Sequence, residues 1–265
     1  MDIPQFENLR CEVEDGVCWL TIDNEGMQNA LTDQIQQDLI TAFREINHDR
    51  SIWSVVLTGA GERAFSSGGD ISLFTKLDRV GLWDFMKNRG AEICRLIENL
   101  DKPVIAMVNG YCYAGGLELV LCCDIVYASE TAKFGLLEGR LGILPGWGGT
   151  VRLPRAVGPR YAKEMIMTAK RVDAWEAQRL GLVNAVCPPD KLKDEVLKLL
   201  DRMRMVSPLA IQACKTVINT TLHLDNMDAA MGVERGANMW LSTTADAAEG
   251  VIAWIQKRDP KFKGA

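Results

Sequence analysis

Residues 103–128 have the sequence PVIAMVNGYCYAGGLELVLCCDIVYA. Within this segment, the apolar runs Pro103–Val108 and Asp124–Ala128 each predict a short buried strand. Between the two runs, a cluster of glycines opens an apolar helix near Gly116. A strand, a helix and another strand in this order are typical of a layered α/β core.

The residues before position 103 show the same succession of strands and helices, which indicates repeated ββα units. A glycine- and serine-rich loop after Gly59 separates one strand from the helix that follows it. The predicted elements are a hairpin with strands Leu9–Val13 and Val17–Ile22, a helix over Ile35–Ile46 with Thr32 or Asp33 as its N-cap, a strand at Val55–Leu57 and a helix at Trp83–Leu100.

The sequence becomes helical from about Gly158 onward. No linker rich in proline or serine marks this change, so we expect one chain fold with a helical tail. The methionines of the tail are expected to pack within the fold or between subunits. The predicted helices are Arg160–Ala169, Asp173–Leu180, Asp190–Met205, Pro208–His223 and Asp246–Lys257.

The composition is that of an ordinary globular protein. The chain has 265 residues, of which 48% are apolar and 25% charged, and its net charge is −5. This acidic balance, without any basic run, argues against nucleic acid as a partner. The longest uncharged stretch, Pro103–Leu117, has 15 residues and three glycines, so it is too short to cross a membrane.

The N-terminal segment and the cysteines both favour a cytoplasmic protein. Met1–Arg10 carries Asp2 and Glu7 and lacks the apolar run of a signal peptide. The eight cysteines include no C-x-x-C pair, and we expect them to be reduced, mostly buried thiols.

Several common catalytic motifs are incomplete in this sequence. Gly59–Ala64 fits G-x-G-x-x-A, but a loop follows it where a dinucleotide-binding unit needs a helix. Gly110–Gly115 has the glycine spacing of a phosphate-binding loop but lacks its lysine. His48 and His223 have no partner motif, which argues against a zinc site and a Ser-His-Asp triad.

Two glycine-rich segments remain, Phe65–Ile71 and Asn109–Leu119. Glycine allows close approach of a ligand and leaves backbone N–H groups free, as an oxyanion hole for a thioester enolate requires. Glu118 and Glu138 lie among apolar residues nearby, and two carboxylates beside such a hole form an acid/base pair. The simpler alternatives are helix-dipole compensation for Glu118 and an ion pair with Arg140 for Glu138.

Many ordered segments together resemble the crotonase (enoyl-CoA hydratase/isomerase) superfamily over nearly the whole chain. The segments that carry the resemblance are Asn29–Leu31, Ala64–Ile71, Lys102–Ala106, Val108–Gly110, Cys123–Ile125, Lys133–Gly135, Leu141–Thr150, Ala177–Val183 and Lys257-Arg258.

The resemblance implies an α/β fold with two parts. Residues 1–195 would form a crotonase-like spiral of ββα units holding the site, and residues 196–265 a C-terminal helical trimerisation region. It also implies an acyl-CoA thioester substrate, homotrimers or homohexamers, and a place in fatty acid metabolism such as β-oxidation. No separate cofactor and no metal are expected, because coenzyme A is part of the substrate.

The resemblance also assigns roles to single residues. Gly69 and Gly115 match the oxyanion-hole donors, and Glu118 and Glu138 match the two glutamates of the hydratases, without indicating which is the acid. The CoA-binding residues it implies are Ser67, Gly69, Ile71 and Lys257, the last together with Trp254 from a neighbouring subunit. Having both glutamates favours addition of water to a 2-enoyl-CoA.

Three positions depart from the commoner hydratase pattern: Ser72, Leu137 and Trp147. Trp147 is either a packing residue or a residue that reshapes the pocket for cyclic or branched acyl groups. The alternatives are therefore a hydratase of cyclohexene- or cyclohexadiene-carboxyl-CoA, or an enoyl-CoA double-bond isomerase. A non-catalytic assembly or RNA-binding relative is a further alternative, against which Glu118, Glu138 and the acidic balance argue.

Overall fold

The computed structural model describes residues 4–265, apart from the side chain of Phe74. Residues 1–3, part of the N-terminal segment and of the predicted core over residues 1–195, lie outside the described residues. The described chain forms two compact units: residues up to Leu100 with Val104–Lys193, and Asp101–Pro103 with Asp194–Ala265. The predicted domain division after residue 195 stays a prediction.

Two sheets belong to the first unit. In the six-stranded sheet the order is β1-β2-β3-β5-β7-β10, and in the four-stranded sheet it is β4-β6-β8-β9. The strands are β1 Leu9–Glu14, β2 Val17–Ile22, β3 Ser54–Gly59, β4 Ala64–Ser66, β5 Val104–Val108, β6 Tyr111–Tyr113, β7 Ile125–Ser129, β8 Lys133–Gly135, β9 Val172–Asp173 and β10 Ala185–Cys187. Neighbouring strands are parallel except for the β1–β2 and β8–β9 pairs.

The helices of the described residues lie between strands, singly or in pairs, up to β10 and then follow one another. They are α1 Asp33–His48, α2 Arg79–Asn88, α3 Gly90–Glu98, α4 Gly115–Val120, α5 Gly149–Val157, α6 Pro159–Thr168, α7 Ala174–Arg179, α8 Leu192–Arg204, α9 Pro208–Thr221, α10 Met227–Leu241 and α11 Ala245–Gln256. The predicted α/β class and the helical C-terminal region are confirmed.

The predicted hairpin and the predicted N-cap of the first helix are both present in the structure. Glu14 pairs with Val17, so Asp15 and Gly16 alone form the hairpin turn, and both have positive φ, as a type I′ turn requires. The Thr32 hydroxyl accepts the Ile35 N–H at 3.2 Å and caps α1. The apolar face of α1 is fully buried in the core, together with α3 and the inner strands of the larger sheet.

The predicted single helix over Trp83–Leu100 is wrong. The chain forms two helices, because the backbone of Arg89 leaves helical geometry, with φ −119° and ψ −96°. Apolar periodicity continues across this break and gives no sign of it. Gly90 begins α3 at a position where a Cβ atom would overlap the indole of Trp147.

Two helices have no counterpart among the predicted elements. Helix α5 begins after Gly148, whose φ is 110°, and contains Pro154, so its sequence favours a loop. Helix α10 contains Gly232 and Gly236, which weaken the helical pattern. Within residues 4–265, no helix has the length and apolar character needed to cross a membrane.

Candidate active site

The first glycine segment follows β4 and presents the N–H of Gly69. Leu31 and Gly69 form an isolated parallel bridge, in which Leu31 N–H donates to Gly68 O at 2.8 Å and Asp70 N–H donates to Leu31 O at 3.2 Å. The N–H of Gly69 itself points away from this bridge and has no acceptor among the described residues. It is therefore available to a ligand.

The second glycine segment presents the N–H of Gly115 at the start of α4. The first N–H groups of a helix have no partner within the helix. Ala114, the residue before, has φ 49° and ψ −126°, a strained geometry that is found at functional sites. A Cβ atom at Gly68 would lie 3.1 Å from Gly115 N, so the two glycine segments lie directly against each other.

Glu118 lies in the first turn of α4 and is 2% exposed. Its Oε1 accepts two backbone N–H groups, from Trp147 and from Gly149, each at 2.7 Å. Burial is the largest effect and raises the pKa of this carboxyl above its ordinary value, although the N–H groups of Trp147 and Gly149 and the charge of Arg152 oppose the rise. These contacts fix the orientation of Glu118 beyond what a helix-dipole role needs.

The loop that binds Glu118 is shaped by glycine and held by Arg152. A Cβ atom at Gly149 would lie 3.1 Å from Glu118 Oε1 and 2.8 Å from Pro145 Cβ, so a larger residue would press on the carboxylate. The Arg152 guanidinium donates to both carboxylate oxygens of Glu98, at 2.6 and 2.7 Å, and to Trp147 O at 2.8 Å. This bidentate pair connects α3 to α5 and fixes the loop.

Glu138 begins a 3₁₀ turn after β8 and is 8% exposed. Its Oε2 is buried and has no hydrogen-bond partner within residues 4–265. Burial above all, and the charge of Glu118 in addition, raise the pKa of Glu138 to about 7 from its ordinary value of 4.5. No ion pair joins Glu138 to Arg140 in the described part of the chain, so the simpler alternative is not observed.

The predicted CoA-binding residues fall into two groups. Ser67 and Ile71 flank Gly69; Ser67 N–H donates to Gln28 O at 3.0 Å, and Ile71 is 61% exposed. Lys257 ends α11 and belongs to the second unit. Among the predicted site residues, the structure thus brings the first glycine segment and Gly115 together, with Glu138 within electrostatic reach of Glu118. The roles of all these residues stay predictions.

The indole of Trp147 is 8% exposed and lies beside both oxyanion glycines. A Cβ atom at Gly69 would be 3.7 Å from its Cζ2, and one at Gly115 would be 2.5 Å from its Cζ3. The sequence left Trp147 open between a packing residue and a pocket residue. The ring is both buried and adjacent to the two glycines, so it has features of both alternatives.

Sequence reasoning missed three groups that support this site. They are the N–H groups of Trp147 and Gly149, the Arg152–Glu98 pair, and the Ser66 hydroxyl, which accepts the Gly68 N–H at 3.1 Å and donates to Asn29 O at 2.8 Å. The Gly148-Gly149 pair was the available signal, because it precedes a helix whose first N–H groups are free.

The sequence of this chain was compared with those of known protein families and proteins. A family model described as enoyl-CoA hydratase/isomerase matches residues 12–265. The crotonyl-CoA hydratase of Syntrophomonas wolfei is 38% identical over 97% of this chain and 98% of that protein. The short-chain-enoyl-CoA hydratase of Clostridium acetobutylicum is 37% identical over 96% of this chain and 97% of that protein. The chain belongs to the enoyl-CoA hydratase/isomerase family.

The fold comparison agrees with the sequence comparison. The crystal structure of an enoyl-CoA hydratase from Bacillus anthracis superposes with a TM-score of 0.94 at 32% identity, covering 98% of this chain and 100% of that chain. The crotonase-like fold and the enoyl-CoA hydratase class predicted from the sequence are therefore confirmed.

Proposed function

We propose that this chain adds water across the 2,3 double bond of a short-chain 2-enoyl-CoA thioester. The observation that carries the proposal is the pair of buried carboxyls, Glu118 and Glu138, together with the unpaired N–H groups of Gly69 and Gly115. Glu118 follows Gly115 in the first turn of α4 and lies within electrostatic reach of Glu138. Relatives named for crotonyl-CoA and short-chain enoyl-CoA support a short linear acyl group over a ring substrate.

The two glycine N–H groups bind the thioester oxygen. Addition of oxygen at Cβ moves the electrons of the double bond into the thioester, and the charge that develops on its oxygen is stabilised by the fixed donors at Gly69 and Gly115. Because these donors are oriented before the substrate arrives, little reorganisation accompanies the reaction. Loss of one such donor typically costs about 10²–10³ in rate.

The two glutamates have different tasks. Glu118, whose Oε1 is held by two N–H donors, takes a proton from water as the oxygen bonds to Cβ. Glu138, with a pKa of about 7 and an unpaired Oε2, keeps its proton in a large share of the molecules at neutral pH, and in that form it gives its proton to Cα. One turnover leaves Glu118 protonated and Glu138 ionised, and proton exchange through solvent restores both.

We also propose the finer features of the protein. The segment Ser67–Ile71 holds coenzyme A, which belongs to the substrate, so no separate cofactor is needed. The exposed apolar side chains of α9–α11, among them Met227, Met239 and Trp254, support a trimer or a hexamer in which Lys257 and Trp254 close a neighbouring site. The eight free cysteines fit a reducing cytoplasm and a role in fatty acid β-oxidation there.

The experiment incubates the purified protein with crotonyl-CoA and, separately, with cyclohexene-carboxyl-CoA. Loss of the enoyl-thioester absorbance together with a gain in mass of one water from crotonyl-CoA supports the proposal. Turnover of the ring substrate alone, or a product of unchanged mass, contradicts it in favour of the ring-specific hydratase or the isomerase. Inactivity on both substrates overturns the hydratase proposal.

A further inference from the structure

We infer that the Trp147 indole is a fixed wall of the acyl pocket and restricts the enzyme to short acyl groups. The inference rests on the proposed function, because it assumes that the thioester oxygen lies between the N–H groups of Gly69 and Gly115. It goes further by assigning acyl-length selection to one side chain.

The indole lies within one side-chain width of the reacting carbons. An oxyanion held by two N–H donors sits about 3 Å from each nitrogen. The indole is in van der Waals range of the Cβ position at Gly69 and still closer to that at Gly115. An acyl chain that extends from the bound thioester carbon therefore starts beside this ring.

The space around the ring is also limited at a third glycine. Gly90, at the start of α3, lies against the ring, and even a methyl group there would overlap indole atoms Cδ2 and Cε2. The indole is thus packed against both Gly90 and Gly115, and only glycine at both positions leaves room for it. Helices α3 and α4 carry these glycines, so the space is set by regular secondary structure.

The backbone of Trp147 is held as firmly as its ring. Its N–H donates to Glu118 Oε1 at 2.7 Å, and its carbonyl accepts from Arg152 at 2.8 Å. The indole is 8% exposed, so little of it faces solvent. A side chain fixed in this way excludes a long acyl group by volume, because displacing it would disturb the catalytic carboxylate as well.

The test compares wild type with Trp147→Ala, which removes the ring and keeps the backbone N–H to Glu118. The kcat/KM for 2-decenoyl-CoA divided by that for crotonyl-CoA is expected to rise by roughly 10- to 100-fold in the variant, the range that one pocket contact supplies. Trp147→Leu, which keeps part of the buried volume, is expected to give an intermediate ratio. Trp175→Ala, at a tryptophan 55% exposed on α7, is the matched control and leaves the ratio unchanged.

A binding measurement keeps the inference separate from the hydratase proposal. Dissociation constants for butyryl-CoA and decanoyl-CoA need no turnover, and their ratio should shift toward decanoyl-CoA in Trp147→Ala by a similar factor. An unchanged ratio in a folded Trp147→Ala or Trp147→Leu protein, in either measurement, overturns the inference. Failure of the wild type to hydrate any enoyl-CoA, with the binding ratio still shifted, overturns the proposed function alone.

Discussion

Glu118 and Glu138 are both buried carboxyls of the first unit, yet their surroundings differ. Two N–H groups and a nearby guanidinium favour the charged form of Glu118, whereas the Oε2 of Glu138 has no partner in the described chain and faces the charge of Glu118. Burial raises the pKa of both carboxyls, and backbone N–H groups oppose this rise at both. The charge of Arg152 also lowers the pKa of Glu118, whereas the charge of Glu118 raises that of Glu138 further. Under the proposed mechanism, these charges and the two N–H groups on Glu118 Oε1, rather than depth, make Glu118 the base and Glu138 the acid.

Replacing either carboxyl gives the largest expected effect. Glu118→Gln and Glu138→Gln are each expected to lower kcat for crotonyl-CoA hydration by about 10²–10⁴, because each removes a proton-transfer group while keeping the shape. Steady-state kinetics with circular dichroism to verify folding measures this. Glu62→Gln, at an exposed loop glutamate, should retain full activity. Near-wild-type rates in both site variants would show that these carboxyls have neither role.

A change in the loop that donates the Trp147 and Gly149 N–H groups tests whether these groups position Glu118, while both glutamates stay in place. Gly149→Ala places a Cβ atom 3.1 Å from Glu118 Oε1 and 2.8 Å from Pro145 Cβ, so the carboxylate and the loop must shift. We expect kcat to fall by about 10²-fold, the usual cost of a misplacement near 1 Å. Gly26→Ala, where an added Cβ meets no atom within 4 Å, is the matched control. Equal kinetics in the two variants would mean that the loop does not position Glu118.

The pH dependence of kcat/KM distinguishes the two carboxyls by the pH range in which each one titrates. Because Glu138 acts in its protonated form and has a pKa of about 7, hydration kcat/KM is expected to fall about tenfold per unit above pH 7. The limb at low pH reports ionisation of the base, Glu118. In Glu138→Gln the residual activity should lose the alkaline limb and keep the acidic one. An alkaline limb that survives in this variant would assign the acid to another group.

The parts of the fold that could be predicted from the sequence are local. The hairpin turn at Asp15-Gly16 and the cap at Thr32 are set by short-range turn and capping chemistry. The two glycine segments were recognisable by their composition, and the roles of their N–H groups stay predictions. Glu118 was marked by its apolar neighbours within α4. Each of these predictions depends on residues only a few positions apart.

The remaining parts depend on residues far apart in the chain. Arg152 and Glu98 are 54 residues apart, and only their side-chain geometry joins them. Gly90 lies within an apolar helical pattern, so the sequence does not mark it as special. The reason that only glycine fits at position 90 is the indole of Trp147, which a Cβ atom there would overlap. Periodicity records which face of an element is buried, but not which partner covers it.

The smallest expected effect is on stability and concerns Glu138 alone. Its pKa is raised on folding, so the native state holds the proton more tightly than the unfolded chain does. The contribution of the protonated carboxyl is fully present below about pH 4.5 and is lost as the pH rises through about 7.

Replacement by Gln removes this titration. The free energy of unfolding of wild type minus that of Glu138→Gln should therefore fall by about 1–3 kcal/mol between pH 5 and pH 8. Urea unfolding across this range measures it, with Glu62→Gln as the control whose difference from wild type stays level. A difference that instead grows with pH would mean that Glu138 is stabilised as the anion, and the contrast with Glu118 would disappear.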